Sequence, residues 1–455
     1  KSLIKKGCKI AAIKAGNSEE GNRAASSHTG AMATSDVFVE ALFEKSGIIR
    51  CNGRYELITV AGILLQKESS GKNIGIITHA GGPAVMLTDT LAKNGLKIPE
   101  LKEKLSSKLL MELYEGSSVT NPIDFLATGT AKQLETIIDY CENKFDNIDA
   151  MAVIFGSPGL APVYDVYDVL NKKIKSSKKP IYSILPSVVN VKNEINDFIS
   201  KGNIAFDDEV LFGNSLAKVY NSVQPDHKEN LIDPDTFNNI RKIIDILPNG
   251  YITSSQANDL LNLIGINFVQ QKEVKNETDL LKIAHTLGYP VVLKVIGPLH
   301  KSDVGGVELN IKNNQDLLNS FKKLMNIDGA KSVLIQPMIN GMELFVGAKK
   351  EANYPHVIIS GLGGVFVEIL KDINVKMVPV SKEEALDMVT KLKSYPILKG
   401  IRNQKGIDIG KYAEIIKKIS DLLQIAPEIA ELDINPLLAT EKNIIGVDVR
   451  IRIEK

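Results

Sequence analysis

The sequence predicts an α/β fold in two parts, with parallel α/β units in the first half and an α+β layout in the second. In the first half, short apolar runs alternate with amphipathic segments, as is typical of parallel units; the strand-like stretches are CKIAAIKAG, NIGIITHAGG, DAMAVIFGSPG and KPIYSIL. In the second half, the longer alternating stretches VLIQPMINGMELFVGAKK and HVIISGLGGVFVEIL are typical of antiparallel strands. Between the halves, residues 222 to 236 gather Pro, Asp and Asn without periodicity, which predicts a linker.

Length and composition indicate a multidomain protein that handles small molecules. The chain has 455 residues, too many for one core, so two or three domains are expected. Lys and Arg number 55 and Asp and Glu 54, without a long block of like charge, which gives no electrostatic argument for nucleic acid or an anionic membrane. No apolar stretch approaches the roughly 20 residues that span a bilayer, and there is no signal peptide. Small molecules are therefore the expected partners, with no nucleic acid and no membrane.

Cysteine usage and the first residues bear on compartment and completeness. Cys8, Cys51 and Cys141 are far apart and lack metal-binding spacing, which predicts a reducing compartment, the cytoplasm, with neither disulfides nor a zinc site. The chain begins at Lys1 without Met, close to a strand-like run, which predicts that an upstream part is missing.

A turn around His28 is the first candidate site. In SSHTGAMATSD, Ser27 and Thr29 offer hydroxyls, and Gly30 lets the backbone come close to a ligand. The free N–H groups of a helix that starts here would bind an anion, and a histidine beside it could carry a phosphoryl group covalently. In the alternative interpretation, Ser27 or Thr29 is only a helix cap and His28 is a solvated neighbour.

A second anion-binding turn is predicted in ITHAGGPAVMLTD. Gly81 and Gly82 follow a strand, and Pro83 stands where a helix would begin. Two helix N-termini aimed at one point would hold a phosphate well. His79, just before the glycines, is either an extra polar group near the phosphate or a strand-end residue, and the strand-end interpretation is favoured.

A nucleotide site is predicted in the second half. Lys294 stands in the strand-like run YPVVLKVI and is followed by His300 and by the pair Gly305 and Gly306. A strand lysine with a glycine loop can clamp the phosphates of a nucleotide. Further on, VLIQPMI can offer backbone groups around Gln336 and Met338 to an adenine edge.

The last candidate site is a group of oxygen ligands. The segment ELDINPLLATEKNIIGVDVRI presents Glu431, Asp433, Asn435 and Asp448 from two neighbouring strands, and such oxygens are the ligands that Mg²⁺ prefers. Taken singly, each of these residues has an ordinary structural role available. The lysine, the glycine loop and the oxygen ligands follow one another along one α+β segment, which argues against a chance combination.

Six separated stretches together resemble the ADP-forming acyl-CoA (acetyl-CoA) synthetases, relatives of succinyl-CoA synthetase. They are SSHTGAMATSD, THAGGPAV, VTNPIDFLAT, PVVLKVIGPLHKSDVGGVELNI, GLGGVFVEILKDI and ELDINPL with GVDVRI. The resemblance covers essentially the whole chain. It implies that residues 1–60 end a first CoA-ligase domain, that 70–225 form a second, flavodoxin-like one, and that 232–455 form an ATP-grasp domain.

The resemblance also implies a reaction. Acyl-CoA, ADP and phosphate are reversibly converted into a carboxylic acid, CoA and ATP through an acyl phosphate. His28 takes the phosphoryl group, and His300 hands it on to ADP. The resemblance further implies that Asn435 and Asp448 bind Mg²⁺ and that Lys294 binds the nucleotide phosphates. By the same resemblance, the CoA-binding portion and the carboxylate partner of His28 would lie upstream of Lys1.

Two alternatives and two open points remain. The same modules occur fused to an acetyltransferase domain as a ligand-sensing part, but that arrangement usually loses the phosphorylated histidine. A plain ATP-grasp ligase that uses only an acyl phosphate does not explain the first half. The sequence does not identify the carboxylic acid substrate. Residues 121–128 and 157–160 are the segments expected to determine which acid is bound. Relatives associate through the ligase and grasp domains, which favours a homo-oligomer.

Overall fold

Two units, Lys1–Asp226 and His227–Lys455, make up the computed structural model. The structure describes residues 2–18, 20–21, 23–24, 36–157, 162–222, 232–297, 305–351, 354–364, 372–401 and 404–455. Among these residues, no helix is both long enough and apolar enough to cross a membrane.

Parallel strands form the sheets of the first unit. Its strands are β1 (Ala11–Ile13), β2 (Ile49–Cys51), β3 (Ile74–Thr78), β4 (Ser118–Val119), β5 (Ile123–Asp124), β6 (Ala150–Ile154), β7 (Ile181–Ile184) and β8 (Ala205–Phe206). β1 and β2 form a two-stranded parallel sheet, and the other six have the order β4-β5-β3-β6-β7-β8. Only the short β4 runs antiparallel to its neighbour. The predicted parallel α/β architecture is therefore confirmed.

Helices cover both faces of the six-stranded sheet. Those of the first unit are α1 (Ser2–Lys5), α2 (Asp36–Ser46), α3 (Arg54–Leu64), α4 (Gly81–Lys93), α5 (Glu103–Leu110), α6 (Ala131–Asn143), α7 (Tyr164–Ser176), α8 (Lys192–Ser200) and α9 (Glu209–Tyr220). Successive residues of β6 enter different cores, Met151 and Val153 on one face and Ala152 and Ile154 on the other. Burial on both faces explains why these strands read as continuous apolar runs.

Antiparallel strands form the second unit. They are β9 (Gly250–Tyr251), β10 (Lys272–Val274), β11 (Val291–Ile296), β12 (Val307–Ile311), β13 (Ser332–Pro337), β14 (Met342–Lys349), β15 (Val357–Leu362), β16 (Ile373–Met377), β17 (Gly400–Ile401), β18 (Gln404–Lys405), β19 (Ile429–Ala439), β20 (Ile444–Gly446) and β21 (Val449–Ile453). One sheet has the order β10-β13-β11-β12, and a larger one has β16-β15-β14-β19-β21-β9 with β20 beside β19. β17 and β18 form a separate hairpin.

The helices of the second unit pack on these sheets. They are α10 (Pro234–Ile246), α11 (Ser254–Leu263), α12 (Glu277–Leu287), α13 (Asn314–Met325), α14 (Lys382–Thr390), α15 (Tyr395–Lys399) and α16 (Ile409–Ile425). α10 starts inside the predicted linker, because Asp233 caps it and Pro234 fits the first helical position. The stretch VLIQPMINGMELFVGAKK is two strands in different sheets, because residues 338–341 separate β13 from β14.

Candidate active site

Several predicted site residues fall outside the part of the chain that the structure describes. They are Ser27, His28, Thr29 and Gly30 in the first turn and His300 in the grasp loop. Their assigned roles stay predictions. The remaining candidates lie in two places, one in each unit.

Lys294 is the centre of the candidate site in the second unit. It lies in β11, its residue is only 6% exposed, and its Nζ donates a hydrogen bond to the Val447 carbonyl at 3.3 Å. The same Nζ lies 3.8 Å from Oδ2 of Asp448, which directly precedes β21. A buried ammonium group lowers the stability of the fold unless it is paired. The Val447 carbonyl and Asp448 provide this pairing, so Lys294 lies beside one of the predicted Mg²⁺ ligands.

Asn435 joins this group through two hydrogen bonds. Its backbone N–H donates to the Asp448 carbonyl at 3.2 Å. Its side-chain Oδ1 accepts from the Gly364 N–H at 3.1 Å, which orients the amide. The prediction that Asn435 and Asp448 lie beside each other is consistent with this geometry, although Asp448 precedes its strand rather than standing in it.

The turn after β15 was not recognised as part of the site. Gly364 has φ +60°, and a Cβ at this position would overlap Oε2 of Glu343. The Gly363 N–H donates to the Glu343 carbonyl at 2.8 Å. The paired glycines of GLGG were a signal for this close approach, but the contact with Glu343 and Asn435 is visible only in three dimensions.

Two further acidic residues of β19 differ in their surroundings. Glu431 accepts a hydrogen bond from the Tyr251 hydroxyl at 2.9 Å. Asp433 shares its strand face with Asn435, and its Oδ1 is buried without a hydrogen-bond partner among the described residues. Burial raises the pKa of the Asp433 carboxyl, Arg450 opposes the shift, and Asp448 adds to it. A bound cation or a proton would therefore satisfy the buried Oδ1 of Asp433.

The donor set suits a magnesium ion that is shared with a nucleotide. Mg²⁺ usually takes one or two carboxylates from the protein and the remaining oxygens from water and phosphates. Asp448, the Asn435 amide oxygen and the orphaned Asp433 oxygen match that chemistry. Within the described ranges, no group of three or more His, Cys, Asp and Glu side chains is placed to hold a metal by itself.

Gln336 lies on the same face of its sheet as Lys294. Gln336 pairs with Val292 and Leu334 pairs with Lys294, and alternate residues share a face. Gln336 is 2% exposed, and its Oε1 is buried without a partner in the described part of the chain. The Met338 N–H already donates to the Pro290 carbonyl at 2.9 Å, so this N–H is engaged within the protein.

The glycine pair of the grasp loop lies beside the lysine strand. The Gly306 carbonyl accepts a hydrogen bond from the Val295 N–H at 2.8 Å, and Gly305 has φ +65°. This places the described end of the loop next to Lys294. The candidates Lys294, Gly305, Gly306, Gln336, Asn435 and Asp448 thus belong to neighbouring elements of one unit.

The predicted second anion turn lies at the start of α4 in the first unit. The helix begins at Gly81, two residues before the predicted Pro83, because proline is tolerated anywhere in the first turn. Ala80 at the N-cap has no side-chain oxygen, so no side chain caps this helix. A Cβ on Gly82 would meet nothing within 4 Å, and one on Gly81 would meet Asp124 Oδ2 at 3.5 Å.

His79 follows directly on β3, as the strand-end interpretation requires. Its imidazole stacks on the Phe155 ring, with the centroids 4.2 Å apart and the planes 16° from parallel. Burial lowers the pKa of His79, while backbone hydrogen bonds of Ile154 and Gly156 oppose the shift. Sequence reasoning did not foresee the ring contact, because Phe155 follows a strand 76 positions later.

Comparisons with known proteins agree with the architecture. Residues 248–453 match the model for an ATP-grasp domain, and residues 1–64 match that for a succinyl-CoA ligase like flavodoxin domain. The chain is 31% identical over 457 residues to acetate–CoA ligase [ADP-forming] I of Archaeoglobus fulgidus, which covers 97% of this chain and 66% of that protein. It is 31% identical over 455 residues to 4-hydroxybutyrate–CoA ligase [ADP-forming] of Nitrosopumilus maritimus, with 95% and 64% covered.

A shorter relative matches part of the chain. The beta subunit of acetate–CoA ligase [ADP-forming] I of Pyrococcus furiosus is 40% identical over 210 residues, which are 44% of this chain and 90% of that subunit. The chain spans slightly less than two thirds of the length of the two longer relatives. With 40% identity across 90% of that subunit and 31% identity to the two longer relatives, the chain belongs to the ADP-forming acyl-CoA synthetase family.

Proposed function

We propose that this chain carries the phosphoryl-transfer part of an ADP-forming acid–CoA ligase. The overall reaction is acyl-CoA, ADP and phosphate to carboxylic acid, CoA and ATP, and it is reversible. The observation that supports it best is the convergence of Lys294, Asn435 and Asp448 in one unit of a chain from this family. Phosphoryl transfer needs positioning and neutralised charge more than covalent chemistry, and these residues supply both.

In this proposal the second unit binds the nucleotide. Lys294 neutralises the phosphates, Gly305 and Gly306 let the loop backbone approach them, and residues 336–338 contact the adenine edge. Asn435 and Asp448 would hold Mg²⁺, which neutralises phosphate charge when it is bound.

The first unit binds phosphate and carries the phosphoryl group. Gly81 and Gly82 at the start of α4, together with Ser27, Thr29 and Gly30, hold the phosphate. His28 accepts the phosphoryl group from the acyl phosphate, since a neutral imidazole is a competent nucleophile near pH 7. His300 then relays it to ADP.

The wider organisation is part of the proposal. Residues 1–60, 70–225 and 232–455 act as a partial first ligase domain, a second ligase domain and an ATP-grasp domain. CoA is bound by an upstream portion, the enzyme works as a homo-oligomer, and the compartment is the cytoplasm.

Labelling with radioactive ATP tests this function. Incubation with γ-labelled ATP and Mg²⁺ is expected to produce acid-labile phosphohistidine, mapped under alkaline conditions to His28 and His300. His300→Ala should block labelling of His28 from ATP, whereas His28→Ala should still permit labelling of His300. His285→Ala, on the exposed face of α12, is the matched control. Strong labelling of His28 in the His300→Ala protein would exclude an obligatory relay, and unlabelled wild-type chain would contradict the function.

A further inference from the structure

One charged residue of the stretch GVDVRI has no part in the proposed function. This stretch contributes Asp448 to the proposed Mg²⁺ site, and Arg450 follows two positions later in β21. Arg450 is exposed, and its side chain forms no ion pair or hydrogen bond with any residue that the structure describes. Its guanidinium N–H groups are therefore available to a ligand.

Arg450 lies on the face of the large sheet that carries the proposed metal ligands. The side chain of Val449 is buried in the core of this unit. Since successive residues of a strand point to opposite faces, Asp448 and Arg450 both point away from that core. The Asp448 carboxylate lies 3.8 Å from Lys294 Nζ, so this face of the large sheet looks towards the lysine of the smaller sheet.

The strand ladder places Arg450 one step from the metal ligands. In the antiparallel pair of β19 and β21, Arg450 stands directly opposite Asp433. The next step of the same pair is the hydrogen bond from the Asn435 N–H to the Asp448 carbonyl at 3.2 Å. Residues that share a face are about 7 Å apart along a strand, a distance that a long arginine side chain can span.

The next arginine on this face shows how a cross-strand ion pair forms here. Arg452 stands opposite Glu431, and its Nε lies 3.3 Å from the Glu431 carboxylate. Opposite charges in such positions attract each other. Arg450 and Asp433 have the same relation in the ladder but form no ion pair, and Asp433 Oδ1 has no hydrogen-bond partner among the described residues. The guanidinium of Arg450 is therefore open to a negatively charged ligand.

We propose that Arg450 is a catalytic residue that binds the terminal phosphoryl group of ATP. The proposal rests on the function proposed above, in which Lys294, Asn435 and Asp448 serve the nucleotide phosphates. Metal ions in phosphoryl transfer bridge oxygens of the β- and γ-phosphates, which brings the terminal group to the residues beside Asn435 and Asp448. Arginine suits this group because its planar fork binds two phosphate oxygens at once.

The proposed contact is made to the group that moves. When ATP phosphorylates His300, the bond from the γ-phosphorus to the bridging oxygen breaks as a bond from phosphorus to a ring nitrogen forms. The electron pair of the broken bond stays on ADP, and the neutral imidazole keeps its one N–H and becomes a phosphorylated imidazolium. During transfer the other three phosphoryl oxygens share the charge, which a positioned guanidinium stabilises. Because ADP lacks this group, Arg450 should contribute to ATP binding but not to ADP binding.

Nucleotide binding to the 455-residue chain tests this assignment. With Mg²⁺, Arg450→Gln should weaken binding of the non-hydrolysable analogue β,γ-methylene-ATP roughly ten- to a hundredfold, as expected for lost hydrogen bonds to a charged group. Its affinity for ADP should stay unchanged. Arg450→Lys should recover only part of the loss, because lysine keeps the charge but not the two-point contact. Arg452→Gln, on the same strand face, is the matched control, and isothermal titration calorimetry measures all affinities.

The rate of histidine labelling by γ-labelled ATP is the second readout. Arg450→Gln should slow labelling at saturating ATP about a thousandfold, while Arg452→Gln keeps the wild-type rate. Equal analogue affinity in Arg450→Gln and wild type, an equal loss of ADP and analogue affinity, or an unchanged labelling rate overturns the inference. A wild-type chain that binds both nucleotides but is not labelled contradicts the proposed relay alone, because the two affinities still report on Arg450.

Discussion

At the scale of single residues, the candidate site depends on a buried lysine. Lys294 is almost fully enclosed, and its Nζ is balanced by a carbonyl oxygen and by the Asp448 carboxylate. Asp448 also accepts the Asn435 N–H through its backbone, so one residue links the cation and the amide ligand. A nucleotide phosphate with Mg²⁺ would add a negative and a positive charge to this group together, which keeps it balanced.

Asp448→Ala is expected to abolish the Mg²⁺ dependence of nucleotide binding. It removes the carboxylate that would hold the metal, and loss of a charged partner should weaken ADP binding at saturating Mg²⁺ roughly ten- to a hundredfold. Isothermal titration calorimetry with ADP, with and without Mg²⁺, measures the effect, and circular dichroism checks the fold. Asp328→Ala, at an exposed position, is the control. Unchanged ADP affinity at saturating Mg²⁺ would refute the assignment of Asp448.

His356 gives a prediction about pH. It is 4% exposed, its Nε2 lies 2.6 Å from the Ile429 carbonyl oxygen, and burial lowers its pKa. The unfolded chain therefore binds the proton at higher pH than the folded chain does. The free energy of unfolding should decrease as the pH falls through about 6.5 and level off below the folded-state pKa.

The variant His356→Gln isolates this contribution. Its amide can keep the hydrogen bond to Ile429 but does not titrate, so its denaturant-unfolding curves between pH 5 and 8 should lose part of the pH dependence. His285→Gln, exposed on α12, controls for the substitution itself. Equal pH dependence in His356→Gln and wild type would show that His356 does not contribute.

Single residues differ in how far the sequence could predict them. Lys294 stands out because a charged residue interrupts the apolar run PVVLKVI. The run predicts a strand, and in the structure Lys294 lies buried in β11. The contact between Gly364 and Asn435 joins residues 71 positions apart, and the ring stack of His79 needs two strands to become neighbours. Such contacts follow from strand order, which local patterns do not contain.

At the scale of elements, the turn after β15 controls the amide ligand. Gly364 takes a left-handed conformation, and its N–H donates to Asn435 Oδ1. A Cβ on residue 364 would overlap the Glu343 carboxylate, so a larger residue would have to shift this N–H. Gly364→Ala should destabilise the protein by about 1–2 kcal/mol through the backbone conformation alone. The displaced N–H should also weaken Mg²⁺-dependent ADP binding.

The double variant Gly364→Ala with Glu343→Ala tests this steric argument. Removal of the Glu343 carboxylate relieves the overlap, so the double variant should bind ADP more tightly than Gly364→Ala alone, while the backbone strain remains. Calorimetry and denaturant unfolding of the four proteins in this cycle separate the two contributions. Additive effects of the two substitutions would contradict the proposed contact.

Element types were easier to predict than element boundaries. Buried parallel strands produce uninterrupted apolar runs, and β3, β6 and β7 were found in this way. The division of VLIQPMINGMELFVGAKK into β13 and β14 was missed because both strands alternate and only four residues, 338–341, separate them. Since these strands belong to different sheets, their separation depends on tertiary packing.

At the scale of the whole molecule, the second unit has the features of an independent domain. Among the described residues, its two hydrophobic cores contain only side chains from positions 232 to 453. Its last residue is bound to its first helix, since Lys455 Nζ donates to the carbonyls of Asp245 at 2.9 Å and Leu247 at 2.7 Å, at the end of α10.

Residues 232–455 are therefore expected to fold alone and to bind the nucleotide. The fragment keeps Asp233, which caps α10, as well as both cores and every described nucleotide-site candidate, Lys294, Asn435 and Asp448 among them. Its affinity for ADP with Mg²⁺ should lie within about threefold of that of the full chain. All described candidates for the nucleotide site lie in the fragment, and distant, independent parts of a protein are coupled by only about 0.5 kcal/mol. Circular dichroism and calorimetry check folding and binding, and Asp448→Ala in the fragment should reproduce the loss seen in the full chain. A cooperatively folded fragment that does not bind ADP would mean that the first unit supplies part of the nucleotide site, whereas an unfolded fragment would refute its independence.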